Sequence, residues 1–189
     1  DGGTLDMNGN PIGGDGTPGN LAIDTLNFRS GTLKNVSQIN NGGTGLTKTT
    51  SGTLTLSGTH TYTGPTLVSA GTLRILGSSV SPVTINTGAT LDGTGNLGAA
   101  ITVNTGGALA PGASVGTLAA SSAVINGTLA IEIDGLTADF LDVSGNLDIT
   151  HATLSITGTP TAGEYVIADF DTLSGPAFAT VIGLPNGYQ

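Results

Sequence analysis

The feature that most limits what this chain can fold into is a tripeptide, Gly-x-Leu, that returns at a nearly constant interval. It stands at Gly3-Thr4-Leu5, Gly31-Thr32-Leu33, Gly52-Thr53-Leu54, Gly71-Thr72-Leu73, Gly107-Ala108-Leu109, Gly116-Thr117-Leu118, Gly127-Thr128-Leu129 and Gly145-Asn146-Leu147. Looser copies are Ala89-Thr90-Leu91 and Ala152-Thr153-Leu154. Leucines 54, 73, 91 and 109 are 19, 18 and 18 residues apart; Leu129 to Leu147 is again 18, and Leu33 to Leu54 is 21. A period of about 20 residues built from strand and turn residues marks a β-solenoid coil, which buries its apolar face only by stacking on its neighbours.

Within the repeats the side chains alternate. Thr53-Leu54-Thr55-Leu56 puts leucines on one face and threonines on the other, and Leu129-Ala130-Ile131-Glu132-Ile133-Asp134 and Leu147-Asp148-Ile149 do the same. Asn-Gly pairs at 8–9, 41–42, 126–127 and 186–187 supply the positive φ that tight turns need. Helix is excluded because Gly, Pro or Thr clusters break every stretch before apolar residues can recur at i, i+3, i+4, i+7. With 32 glycines in 189 residues and 9% charged residues the chain invites comparison with disordered segments. Its 37% hydrophobic content, evenly spread, supports an ordered β-protein instead. The expected fold is an all-β right-handed parallel β-helix over residues 1–155, with residues 156–189 as a C-terminal β-strand cap or subunit-contact segment. A β-sandwich is the competitor, since short strands at 8–12-residue spacing suit it too.

Charge narrows the partners. Arg29, Lys34, Lys48 and Arg74 are the only Lys or Arg residues; beyond position 74 nine acids, with no Lys or Arg, carry the whole net charge of −9. Such a surface cannot neutralise nucleic-acid phosphates or anionic headgroups. Cysteine is absent, so disulfides and thiolate metal sites are too. No apolar run approaches the length of a membrane-spanning helix, so direct membrane insertion is not expected. The start at Asp1 reads as a processed product or a fragment.

Candidate chemistry is sparse. Glu132 and Asp134 share a strand face, but opposite inward isoleucines they read as two solvated acids rather than a glycosidase pair. Asp139, Asp142 and Asp148 form the densest acidic stretch and are the calcium candidates, although the Gly-Gly-x-Gly-x-Asp nonapeptide of calcium-binding solenoids is missing. His60 and His151 read as surface or turn histidines. An enzyme acting on acidic polysaccharide would need cations that the chain lacks beyond Arg74. No cofactor is expected. Five of seven aromatics (Phe140, Tyr165, Phe170, Phe178, Tyr188) fall in the last 50 residues, where they suit an end cap, with strands expected at Tyr165–Ala168 and Phe178–Ile182 and turns at Pro160, Pro176 and Pro185.

Between residues 43 and 76 the pattern becomes specific. Gly45-Leu46-Thr47-Lys48, Gly52-Thr53-Leu54-Thr55-Leu56-Ser57-Gly58, Tyr62-Thr63-Gly64 and Val68-Ser69-Ala70-Gly71-Thr72-Leu73 follow one another. This resembles the autotransporter passenger-associated strand repeat of secreted bacterial β-helix proteins. Leu109-Ala110-Pro111-Gly112-Ala113-Ser114-Val115-Gly116-Thr117-Leu118 and Asp139-Phe140-Leu141-Asp142-Val143-Ser144-Gly145 are similar to segments that often follow it. The resemblance implies a right-handed parallel β-helix outside a bacterial cell, used as a stalk or surface fibre, and carries no catalytic residues. It implies no self-transport, for no membrane β-barrel is read in these residues.

The functional expectation follows from the ends of a solenoid, where unpaired backbone groups invite another strand. The expected role is a structural extracellular protein joined head to tail into a homopolymeric cell-surface filament, with Leu5, Met7, Ile12, Phe178, Val181, Ile182, Leu184 and Tyr188 as subunit contacts. The alternative is an adhesin or stalk module of a larger surface protein that binds glycan or neighbouring cells.

Overall fold

The alternation of inward Leu and outward Thr is realised as two stacked sheets. The computed structural model describes residues 2–15, 17–23, 26–40, 43–161 and 163–184, and among them there are nineteen strands and no α-helix. The first sheet runs β1 (Thr4–Asp6), β2 (Gly31–Lys34), β4 (Thr53–Ser57), β7 (Gly71–Ile75), β10 (Ala89–Gly93) and β12 (Ala108–Pro111). It continues through β14 (Thr128–Gly135) and β17 (Thr153–Pro160) to β19 (Thr180–Ile182), with β15 (Thr137–Ala138) folded back on β14. The second sheet runs β3 (Leu46–Lys48), β6 (Thr66–Val68), β9 (Val83–Ile85), β11 (Asn96–Val103), β13 (Thr117–Ile125), β16 (Phe140–Asp148) and β18 (Ala168–Ser174). Two short strands, β5 (Thr59–His60) and β8 (Ser78–Ser79), extend it.

Sequence order skips from sheet to sheet, and neighbours within each sheet are parallel. Among the described strands only the β14–β15 hairpin is antiparallel. This is a parallel β-helix, whose crossovers take the right-handed sense, and it displaces the antiparallel sandwich. Each coil adds about 4.8 Å of length.

The core is a set of ladders. Leu54, Leu73, Leu91, Leu109, Leu129 and Leu154 stand over one another in register, none more than 8% exposed. The outward row beside them reads Thr53, Thr72, Thr90, Ala108, Thr128, Thr153, Thr180. Two of the expected coil steps are corrected. Leu33 stacks on Leu56, while Leu54 faces Gly31. Leu147 belongs to the second sheet, paired with Ala123 and Leu173, so the coil step from Leu129 leads to Leu154. The period lengthens there because strands grow from five residues in β7 to eight in β14 and nine in β16. Gly116-Thr117-Leu118 likewise opens a second-sheet strand, so the tripeptide marks corners of both sheets.

Close coil stacking fixes some glycines outright. A Cβ on Gly45 would lie 1.6 Å from the carbonyl oxygen of Pro65, and one on Gly64 2.2 Å from that of Thr44. These two stacked corners tolerate no side chain.

β17 runs across residues 155 and 156, and β18 and β19 extend both sheets by another parallel coil. Strand structure there begins at Ala168 rather than Tyr165, and at Thr180 rather than Phe178. Tyr165, Ile167, Ala168 and Phe178 pack half-buried against the core. The turns expected at Asn41-Gly42 and at Pro185 through Gly187, and the contact residue Tyr188, lie outside the described residues.

Candidate functional site

Three places combine exposure or enclosure with chemistry. The first is the pair of outermost described coils. Leu5 on β1 stacks on Leu33 yet is 47% exposed, while Leu33 is fully covered. Val181 on β19 continues the leucine ladder beyond Leu154 and is 43% exposed; Leu173 on β18 extends the other inward row and is equally open. Ile182 and Leu184 are exposed beside Val181. Met7 and Phe178 are half-buried against the core, and Ile12 is buried, bridged to Ile39, so it belongs to the interior. Next to this end a cleft of about 440 Å³ is lined by Ile133, Leu154, Ile156, Tyr165, Val166 and Leu184 with Glu164 among them. Tyr165 shapes its wall: its hydroxyl donates to the Gly135 carbonyl at 2.6 Å and accepts from the Thr161 amide at 2.8 Å.

The second place is a small acidic cleft of about 210 Å³ bordered by Asp92, Pro111, Gly112, Ser114, Glu132 and Asp139. The loop after β12 is tied to β10 by a reciprocal pair of backbone bonds between Gly93 and Gly112, at 2.9 and 2.8 Å. Asp139 locks it from the other side. One carboxylate oxygen accepts from the Gly116 amide at 3.0 Å and the other from the Glu132 amide at 2.8 Å. Burial pushes the Asp139 carboxyl above its ordinary value; the two amides pull it down, and the Glu132 charge adds to the rise. The calcium candidates occupy separate settings. Asp139 is enclosed and bonded, Asp142 faces outward beside Ser144, and Asp148 accepts from the Thr150 amide at 2.9 Å. Among the described residues no three carboxylates or histidines converge. Glu132 and Asp134 are exposed on one face of β14, as the alternation implied.

The third place is enclosed, in the corner formed by residues 46–81. His60 is 1% exposed, which corrects its reading as a surface histidine; His151 is exposed. The Tyr62 hydroxyl meets the Thr66 hydroxyl at 2.8 Å, which meets the Ser81 hydroxyl at 2.8 Å, which donates to the Gly64 carbonyl at 2.7 Å. Lys48 is fully buried, its ammonium donating to the carbonyls of Thr50 and, at 3.2 Å, Ala70 in the next coil. Burial lowers the Lys48 and His60 values and raises that of Tyr62. Sequence reasoning missed these roles, although the signal was present. The buried positions keep one parity through Leu54, Leu56, His60, Tyr62, Thr66 and Val68, and Lys48 follows Leu46 by two.

Comparison with known proteins bears on this corner. The family model described as passenger-associated-transport-repeat matches residues 46–75, so this stretch is similar to that repeat. The "Extracellular serine protease" of Serratia marcescens is 47% identical to this chain over 74 residues, which make up 39% of the chain and 7% of that protein. The chain therefore matches only a small part of that relative's length.

Proposed function

We propose that this chain is a structural segment of an extracellular bacterial β-solenoid, a rigid spacer whose subunits join head to tail by strand addition into a homopolymeric filament. The extracellular setting rests on the repeat in residues 46–75 and on the named relative. The spacer role rests on the ladders: two parallel sheets stacked coil on coil make a stiff rod with no moving part that the role requires. One observation carries the joining. The inward apolar rows stay open on the outermost described strands, at Leu5 on β1 and at Val181 on β19. Both strands belong to the same sheet and repeat the Thr-then-apolar pattern, as Thr4-Leu5 and Thr180-Val181. A parallel β1 laid against a neighbouring copy's β19 would set Leu5 on Val181 and Thr4 on Thr180, apolar on apolar inside and threonine on threonine outside.

Negative-stain electron microscopy and sedimentation over a concentration series test this. Rods of variable length are expected, along with their loss in Leu5→Asp and in Val181→Asp, each folded by circular dichroism. Monomers alone at the highest concentration overturn the joining.

A further inference from the structure

Three ionisable side chains are enclosed within a stretch of fifteen residues: Lys48 and Tyr62 are 0% and His60 is 1% exposed. Among the described residues the rest of the interior is apolar apart from Asp139 and the hydroxyls of Thr66, Ser79 and Ser81. His60 sits on β5, in register with Ser79 on β8 of the following coil, and reaches back to the preceding one. Its Nε2 lies 3.0 Å from the Ser57 carbonyl, and its Nδ1 accepts a long bond of 3.5 Å from the Val36 amide. That pairing defines a neutral ring with its proton on Nε2. Tyr62 meets the ring edge-on at 6.1 Å.

Around the ring, its own segment brings the neutral phenol of Tyr62, and β8 brings only serines. The preceding coil brings backbone at Leu33 and Val36, while its charge, Lys34, pairs with Asp6 on β1 at 3.5 Å on the partly exposed outer face. Among the described residues no carboxylate forms an ion pair with His60. A second proton on this ring has no anion to meet, and it turns Nδ1 from acceptor to donor opposite the Val36 amide. Lys48, the nearest buried cation in sequence, likewise has carbonyls and a hydroxyl as partners.

We infer that acid opens the solenoid from these coils: protonation of His60 releases the corner at residues 57–62 from the coil at residues 31–40, while the coils beyond residue 86 stay closed. The backbone link that parts is the Thr61 amide to the Val36 carbonyl, 3.0 Å long, beside the ring. In the unfolded chain a histidine takes its proton near pH ~6.5. The enclosed ring is held below that by burial. Its contribution is therefore complete above about 6.5, and it is lost as pH falls from there to the ring's own lower value. The device is reversible, since nothing covalent changes.

Amide hydrogen exchange on the intact chain at about pH 7.5 and about pH 5, corrected for intrinsic rates, tests it. The amides of Val36 and Thr61 are expected to lose protection roughly tenfold more than those of Thr128 and Thr153. Equal changes in the two sets, or earlier loss in the second, overturn the inference. His60→Gln removes the differential if it folds. Independently of any variant, NMR titration of the native ring decides: a midpoint at or above about 6.5 overturns the device, and a lower one supports it.

Discussion

Arg74 on β7 holds Asp92 on β10 through two parallel hydrogen bonds, Nε to Oδ1 at 3.0 Å and Nη2 to Oδ2 at 2.6 Å. The two residues are directly opposite in the parallel ladder, on the outward row that elsewhere carries Thr55, Ala110 and Ala130. The fork geometry spans one coil boundary, and Asp92 is mostly covered while Arg74 is about one-third exposed. Arg74→Met leaves a mostly covered carboxylate without its partner and is expected to destabilise by about 1–2 kcal/mol. Arg74→Lys recovers less than half, because an ammonium cannot fill both positions of the fork. Thermal denaturation at low and high salt checks this; a loss that is unchanged by salt would refute an electrostatic origin.

The two rows of the first sheet make unequal demands. Leu91 is fully buried between Leu73 and Leu109, whereas Thr90 next to it faces outward. Leu91→Ala opens a cavity with rigid coils on both sides and is expected to cost about 2–5 kcal/mol. Thr90→Ala removes only an outward methyl and hydroxyl and should stay within about 1 kcal/mol. Urea denaturation of both variants gives the comparison directly, and similar losses at the two positions would contradict the assignment of faces.

The same rows explain what could be read from the sequence. Inward leucines at 54, 73, 91 and 109, with outward threonines before the first three, gave the coil period directly, because those coils have short strands and nearly equal steps. The period failed at Leu147 because β14 and β16 run eight and nine residues and carry the chain farther before each corner. A spacing of 18 then arises between leucines on different sheets, and spacing alone cannot tell a sheet from its partner. His60, Lys48 and Asp139 were legible only by parity. Each lies two residues from an inward aliphatic or aromatic side chain, namely Tyr62, Leu46 and Leu141. Residue type argued the other way, since isolated ionisable groups are normally left in water. The open end rows could be anticipated in kind but not in extent, since only the folded chain places Ile12 in the interior and Val181 at the surface.

Two glycines separate crowding from backbone strain. Gly45 has a φ that any residue can take, yet a Cβ there meets the Pro65 carbonyl oxygen at 1.6 Å. Gly88 has a φ of +76° with nothing within 4 Å of an added Cβ. Gly88→Ala is expected to cost about 1 kcal/mol from the left-handed backbone alone. Gly45→Ala must push two stacked coils apart and is expected to exceed about 3 kcal/mol, enough to prevent folding of the N-terminal coils. Circular dichroism and proteolysis of the two variants distinguish them; equal tolerance would mean that the corner at Gly45 and Gly64 is looser than its stacking implies.

Asp139 should respond to pH in the sense opposite to His60. Burial, the largest influence, raises its carboxyl above the ordinary value, against the pull of the Glu132 and Gly116 amides. The folded chain therefore binds this proton more readily than the unfolded chain, whose aspartate titrates near ~3.9. The stabilising effect of protonation is complete below that value and is lost as pH rises through the raised one. Removing the Glu132 charge, which also favours the proton, should narrow this window from above. The expected outcome is that Asp139→Asn flattens the part of the stability–pH curve lying just above pH ~4, while Glu132→Gln shortens that part from its high-pH end. Urea denaturation of the three proteins across this range, followed by a probe in the coils beyond residue 86, measures both effects. If Asp139→Asn leaves the slope unchanged, the carboxyl that clamps Gly116 and Glu132 titrates like an ordinary surface aspartate, and the enclosure seen at the end of β12 does not persist in solution.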